Sequence, residues 1–265
     1  MASSEPADGN VDGTQAIRRA AAILRCIGRG NARGVSLASI AGTLRLPRST
    51  THRIIKCLVE EGLVRHEQKQ RTYVIGRLTY ELGQAVTNDM IDIARWRGAV
   101  DNVARRTGVT AYLMSRSGVE ATCVLKTDGN SVIRVIPVDV GQRRFLGVGA
   151  GSTALLAALD PDTCERIIRM IAPSLNGYPG LDEQVVRRLV EETRATGFAL
   201  SRSNVVRDVI GIGMAIPQED GPSSLALSIA ALASQTNDQA VERWKAIIRE
   251  EVEAVCRASG NRDSR

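Results

Sequence analysis

LPRSTTHRIIKCLVEEGLVRHEQKQRTYVIG, residues 46–76, decides the fold. Pro47 suits the first position of a helix, where its missing N–H leaves no intrahelical bond unmade. Thr51, Ile54, Ile55, Leu58 and Val59 then recur at i, i+3, i+4, i+7 and i+8, the stripe of a helix with one buried face. Arg48, Ser49, Thr50, His52, Arg53 and Lys56 fall off that stripe and crowd the N-terminal turn. Gly62 marks a tight turn, and two short strands follow at 63–67 and 72–75, with 68–71 at the tip. A helix whose first turn is cationic and polar, followed by a basic hairpin, has the form of a recognition helix with a wing. Such a helix enters the major groove of DNA by its N-terminal end.

Upstream, Ile17, Ala20, Ala21, Leu24 and Ile27 give an inward face to a helix over 15–28. Ser36 is placed to cap a second helix over 37–43, whose Leu37, Ile40, Ala41 and Leu44 face the third. The charge is concentrated here. Residues 15–80 hold thirteen Lys+Arg against three Asp+Glu, a balance of +10, whereas the whole chain carries +6, so the remainder sums to −4. A basic excess packed into a quarter of the length implies a polyanionic partner, double-stranded DNA.

The 265 residues, 43% of them hydrophobic, are enough for two cores, filled by aliphatic side chains because aromatics make up only 3%. Residues 1–13 are small, polar and acidic and are expected to be disordered, as is the tail 261–265. The winged helix-turn-helix occupies 14–76, a linker helix with Leu78, Leu82, Ala85, Val86, Met90 and Ile93 as its stripe follows over 77–92, and a second domain spans 93–260. That domain reads as α+β: an antiparallel sheet with helices on its faces. Strands are expected at 111–116, 121–126, 131–138, 198–203, 210–217 and 225–231. Helices are expected at 93–107, 152–159, 162–170, 182–196 and 237–258.

The five cysteines, at 26, 57, 123, 164 and 256, have no metal-ligand spacing, and their odd number without a secretory segment implies a reducing cytoplasm and buried or inert thiols. Cys57 beside the recognition surface is the one candidate redox sensor. No apolar run reaches the roughly 20 residues of a membrane helix. The glycine loop GVGAGST, 147–153, lacks the lysine of a P-loop, having Ser152 in its place, and its G-x-G-x-G spacing is not a dinucleotide fingerprint. It is better read as a tight turn opening a helix at about Ser152, whose first N–H groups suit a carboxylate or phosphate. Both histidines, His52 and His66, lie in the DNA-binding half, so the second domain has no Ser/His or Cys/His machinery. Asp128, Asp139 and Asp208 sit in turn-like contexts. No enzyme activity, cofactor or metal is expected.

The segment 36–83, with its LPRST-x-HR core followed by E-G-L-V and R-x-Y-x-x-G, resembles the isocitrate-lyase-regulator (IclR) type of bacterial transcription factor. GVGAGSTALLAAL at 147–159, GFALSRSNVVRDVIGIGMAIP at 197–217 and LALSIAA at 225–231 resemble that family's effector domain, which is similar to the GAF fold. The resemblance implies a homodimer or homotetramer that binds operator DNA and responds to a small molecule. Carried over by position, it makes Arg48, Ser49, Thr50, His52, Arg53, Lys69 and Arg71 DNA contacts, and Ala150, Gly151, Ser201, Gly211, Ser228 and Ala230 effector contacts. Members that take small keto acids tend to have Asp, Cys and Ser where this chain has Ser201, Gly211 and Ala230. The family's usual histidine and glycine-lysine pair are replaced by Gly147 and Ser152-Thr153. The expected ligand is therefore a larger, less polar organic acid, with its anionic end at the loop, extra space at Gly211, and Met114 or Met214 in the wall. The alternative is an architectural DNA-binding protein whose second domain only assembles, separable by whether any ligand shifts its melting temperature or operator affinity.

Overall fold

The computed structural model describes residues 11–30, 34–84, 93–131, 137–178, 180–218 and 221–260. The chain divides into two compact units, Met1–Met90 and Ile91–Arg265.

In the first unit, α1 (Val11–Gly28), α2 (Leu37–Leu44) and α3 (Arg48–Glu60) surround a small core of Ile23, Ile27, Ile40, Ile55, Leu58 and Val64. Burying each such side chain stabilises the unit by about 1.5–3 kcal/mol. The helix starts earlier than expected: Val11–Gly13, read from sequence as disordered, are helical, while residues 1–10 lie outside the described residues. The inner face of α1 is also rotated from the expected stripe. Ile23 is fully buried, whereas Ile17 is 73% exposed, because the core reaches only the C-terminal half of this helix. Ser36 caps α2, its hydroxyl accepting from the Ser39 N–H at 3.2 Å. Arg45, left-handed at φ 51°, ends α2. Pro47 is the N-cap of α3 rather than its first helical residue.

Strands β2 (Val64–Glu67) and β3 (Thr72–Ile75) form the wing, and a two-residue strand absent from the sequence reading, β1 (Val35–Ser36), pairs with β3 on its other side. Helix α4 (Arg77–Gln84) docks on the wing's start, the Thr79 hydroxyl donating to the Leu63 carbonyl at 3.0 Å. Within this unit Leu82, expected in an apolar stripe, is 54% exposed. The rest of the expected linker, 85–92, lies outside the described residues.

The second unit is a six-stranded, wholly antiparallel sheet between two helical layers. Its order is β6 (Arg143–Phe145), β5 (Glu120–Thr127), β4 (Thr110–Ser117), β9 (Leu225–Leu232), β8 (Val209–Ala215) and β7 (Ala199–Arg202). Alternation along the strands sorts the side chains. Leu113, Ile210, Ile212, Leu227 and Ile229 face α5 (Ile93–Thr107) and α9 (Asp238–Gly260). Tyr112, Met114, Ala121, Ala226 and Ala230 face α6 (Ala150–Ala157), α7 (Pro161–Leu175) and α8 (Glu183–Thr196). A bulge in β5 shifts the register between Leu113↔Leu125 and Met114↔Cys123, so Cys123 and Leu125, two residues apart, face opposite layers. Asp160 and Asp182 cap α7 and α8 with side-chain oxygens on the Thr163 and Val185 N–H groups. Of the strand expected at 131–138, residues 132–136 lie outside the described residues, and Ser131, Pro137 and Val138 belong to no strand.

Candidate DNA-binding face and ligand cavity

The buried stripe of α3 sets which side chains face outward. Thr51 is fully buried, and its hydroxyl donates to the Pro47 carbonyl at 3.0 Å, fixing the first turn. Arg48, Ser49, His52 and Arg53 are exposed on the other side, and Thr50 is half-buried. No acidic residue stands in that turn, and no side chain caps it, so the helix N-terminus presents N–H groups and cations together. At the wing, the Gln70 N–H closes the turn on the Glu67 carbonyl, Arg71 is left-handed at φ 51°, and Lys69 and Arg71 are exposed. His66 stacks on Tyr73 across the hairpin, centroids 4.7 Å apart. Carboxylates nearby are engaged elsewhere: Glu60 with Lys56 at 3.8 Å and Glu67 with Arg65 at 2.7 Å. Among the described residues Arg48, Arg53, Lys69 and Arg71 have no ion pair. Cys57 is exposed on this helix, whereas Cys123 and Cys164 are buried.

In the second unit, a cleft of about 570 Å³, open mouth included, lies between α6 and the sheet. Ala150, Gly151, Ser201, Gly211, Ser228 and Ala230 all line it. Its form follows from glycines. A β-carbon on Gly213 would stand 2.7 Å from the Ala150 carbonyl carbon, and one on Gly151 would stand 2.7 Å from Met114 Cγ and 2.9 Å from Ser228 Oγ. Only bare backbone at these two positions lets the first turn of α6 settle onto β8 and β9. All eight residues of α6 are buried. The helix opens at Ala150, two residues earlier than expected, with Gly149 as N-cap and no side-chain cap. Its first ring-closing bond is Thr153 N–H to the Gly149 carbonyl, so the Ala150, Gly151 and Ser152 amides precede it at the cleft.

One expectation about this cleft is corrected. A β-carbon on Gly211 would lie 3.1 Å from Ala150 Cβ, so the missing side chain makes room for the helix rather than for a ligand. Of the two methionines expected as alternatives in the wall, Met114 lines the cleft, and Met214 packs against the core on the opposite face of the sheet, as strand alternation requires. The remaining walls, which the sequence reading did not single out, include Tyr112, Val138, Val148, Val205 and Val209. Tyr112 is only 2% exposed, and burial raises its phenol well above the ordinary tyrosine range, so this wall stays uncharged.

Arg144 is the single charged residue among the described lining residues. It was missed because β6 is three residues long and carries no hydrophobic alternation. On that strand Arg143 and Arg144 point to opposite faces. Arg143 pairs with the buried Glu120 at 3.1 Å, while Arg144, in register with Ala121, turns to the cleft. It donates to the Tyr178 hydroxyl at 3.2 Å and to the Pro137 carbonyl, with its guanidinium carbon 5.8 Å from the centroid of the Tyr178 ring.

Two family models account for nearly the whole chain. The IclR helix-turn-helix domain matches residues 16–68, and the bacterial transcriptional regulator IclR C-terminal domain matches 84–257. The chain belongs to the IclR family of bacterial transcriptional regulators. It is 30% identical to the glycerol operon regulatory protein of Streptomyces griseus over 197 residues, covering 70% of this chain and 72% of that one. Its fold matches the IclR transcriptional regulator of Alicyclobacillus acidocaldarius with a TM-score of 0.74 at 24% identity, covering 91% and 97% of the two chains. It also matches an IclR homologue from Microbacterium hydrocarbonoxydans complexed with 4-hydroxybenzoate, with a TM-score of 0.69 at 19% identity over 92% and 99%. IclR-family members are regulators of transcription, not enzymes. Among the described residues no helix is long and apolar enough to cross a membrane.

Proposed function

We propose that this IclR-family regulator binds a specific operator through α3 and the wing, and that a small organic effector held in the α6–sheet cleft modulates that binding. Arg48 and Arg53 read base edges, Ser49, Thr50 and His52 support them, and Lys69 and Arg71 meet the phosphate backbone. The observation that carries the reading is convergence: Ala150, Gly151, Ser201, Gly211, Ser228 and Ala230, scattered over eighty residues of sequence, line one cleft. A domain serving only assembly would leave that cleft without a role.

The ligand is an organic acid with an aromatic or medium-chain body. Met114, Val138, Val148, Val205 and Val209 supply aliphatic contact, with the Ser201 and Ser228 hydroxyls among them. No carboxylate is found among the described lining residues. Glyoxylate and pyruvate, with almost no apolar surface to bury, should bind poorly. The working form is a cytoplasmic homodimer or homotetramer, whose symmetry would be mirrored in paired half-sites on the DNA.

Selection from a random pool of duplexes tests the DNA half. The native chain should enrich one motif, and footprints on it should vanish in an Arg48→Ala/Arg53→Ala variant that still folds. Enrichment of the same motif by that variant would reject α3 as the reading element.

A further inference from the structure

We propose that Arg144 is the anion anchor of the cleft: the effector's carboxylate docks on its guanidinium, with the apolar body running along Met114, Val148 and Val209. The inference rests on the cleft being the effector site, and it replaces the helix N-terminus as the principal partner of the ligand's charge.

Arg144 is half-buried at the wall of a mostly aliphatic cleft. Removing a cation from water without a counter-ion is unfavourable, so such groups are ordinarily paired. Among the other half-buried arginines of this unit, Arg143 and Arg187 follow that rule, while Arg116 has no ion pair among the described residues. Arg143 has Glu120, and Arg187 bridges Glu165 and Glu183. Arg144 has two neutral partners instead, a tyrosine hydroxyl and a peptide carbonyl, and no ion pair among the described residues. A guanidinium carries five N–H donors in a planar fork, so donors remain after those two bonds. What is missing is a planar, bidentate, anionic acceptor, and a carboxylate has that geometry.

The two bonds also pre-organise the group. Tyr178, in the turn after α7, and Pro137 hold the fork from two sides, and the Tyr178 ring lies within cation–π range. A ligand then meets a donor array whose rotamer is already fixed, which lowers the entropy lost on binding. Tyr112, kept protonated by burial, places no competing negative charge in the wall.

The test uses matched acids and amides: benzoate, 4-hydroxybenzoate and octanoate against their primary amides, titrated calorimetrically into the full chain. At least one acid should bind, and its amide should bind about 10- to 100-fold more weakly, the range for losing a charge-assisted hydrogen-bond pair. Arg144→Met should erase that preference by weakening the acid while leaving amide affinity within about twofold of native, since the apolar contacts persist. Arg144→Lys, which keeps the charge but not the fork, should retain part of the preference. Equal binding of acid and amide by the native chain, or an acid preference that survives Arg144→Met, would overturn the anchor while leaving the cleft as the site. Binding that persists in Val209→Trp, which blocks the cleft from a half-buried position, would instead remove the cleft reading and the anchor with it. Failure of every acid to bind would do the same.

Discussion

In the first unit, Arg48, Arg53 and Arg71 stand in solvent with no carboxylate partner among the described residues. In the second, three arginines that brace the fold are tied down: Arg106 to Glu250 at 2.6 Å and Glu251 at 2.9 Å, Arg187 to Glu165 at 2.9 Å and Glu183 at 2.7 Å, Arg143 to Glu120 at 3.1 Å. The same residue type serves two ends. Where the partner is a polyanion outside the molecule, the cations are left unpaired, and charge makes the surface. Where arginines brace a sandwich of helices and sheet, carboxylates are supplied in the chain, and the site is instead made of backbone, small residues and space. Arg144, the one charged residue among the described residues lining the cleft, has no such carboxylate, and on that ground it is assigned to a ligand.

The largest effect expected from breaking this contrast is on the first unit. Replacing Arg48 or Arg53 by alanine should each lower discrimination between operator and scrambled duplex by about 1–3 kcal/mol, the worth of a bidentate base contact. Competition binding measures this. A uniform loss on both duplexes would reassign the residue from base to phosphate.

In the second unit the sensitive element is close packing rather than charge. Gly213→Ala forces a β-carbon into the Ala150 backbone and should destabilise the unit by about 1–3 kcal/mol, as overpacking does. Both tryptophans, Trp96 and Trp244, lie in this unit's core, so their fluorescence during urea unfolding reports on it alone. An unchanged midpoint would mean that α6 can lift off β8 without loss.

The same contrast explains what was legible in the sequence. The recognition helix could be read because exposure there follows the helical period: once Thr51, Ile55 and Leu58 face inward, Arg48 and Arg53 must face out. The cleft could not be derived that way. Ala150, Gly151, Gly211 and Ala230 carry no chemistry by residue type, and they were placed only through the family resemblance. Gly211 was misjudged because a glycine in a strand signals close approach without saying of what, and here it is Ala150. Arg144 was missed because a three-residue edge strand has no period to read, and the face of each residue depends on pairing with Glu120 to Thr122. Tyr178, more than thirty residues on, meets it only in the folded chain.

Smaller effects follow at the wing. Lys69→Ala with Arg71→Ala should weaken binding to all duplexes alike and flatten the log–log salt dependence by about 0.9 for each phosphate no longer neutralised. An unaltered slope would separate the wing from the DNA. The smallest effect concerns Glu165, whose hydrogen bonds from Arg187 and Arg169 hold its carboxyl down from the usual 4.5 to about 2. A depressed carboxylate contributes stability that is present above its unfolded pKa and lost as pH falls through the folded one. Glu165→Gln should therefore remove part of the acid sensitivity between about pH 4.5 and pH 2, read as a shallower fall in melting temperature over that window. A curve parallel to native would show that these surface pairs contribute nothing.

The most direct test joins the two halves. Fluorescence anisotropy on the selected duplex would compare the native chain and Val209→Trp, each with and without benzoate, 4-hydroxybenzoate and octanoate. At least one acid should change the native affinity by about fivefold or more, a typical coupling between two sites, and Val209→Trp should bind the duplex normally but not respond. An equal response in Val209→Trp, or an operator affinity that none of these acids alters, would contradict this coupling.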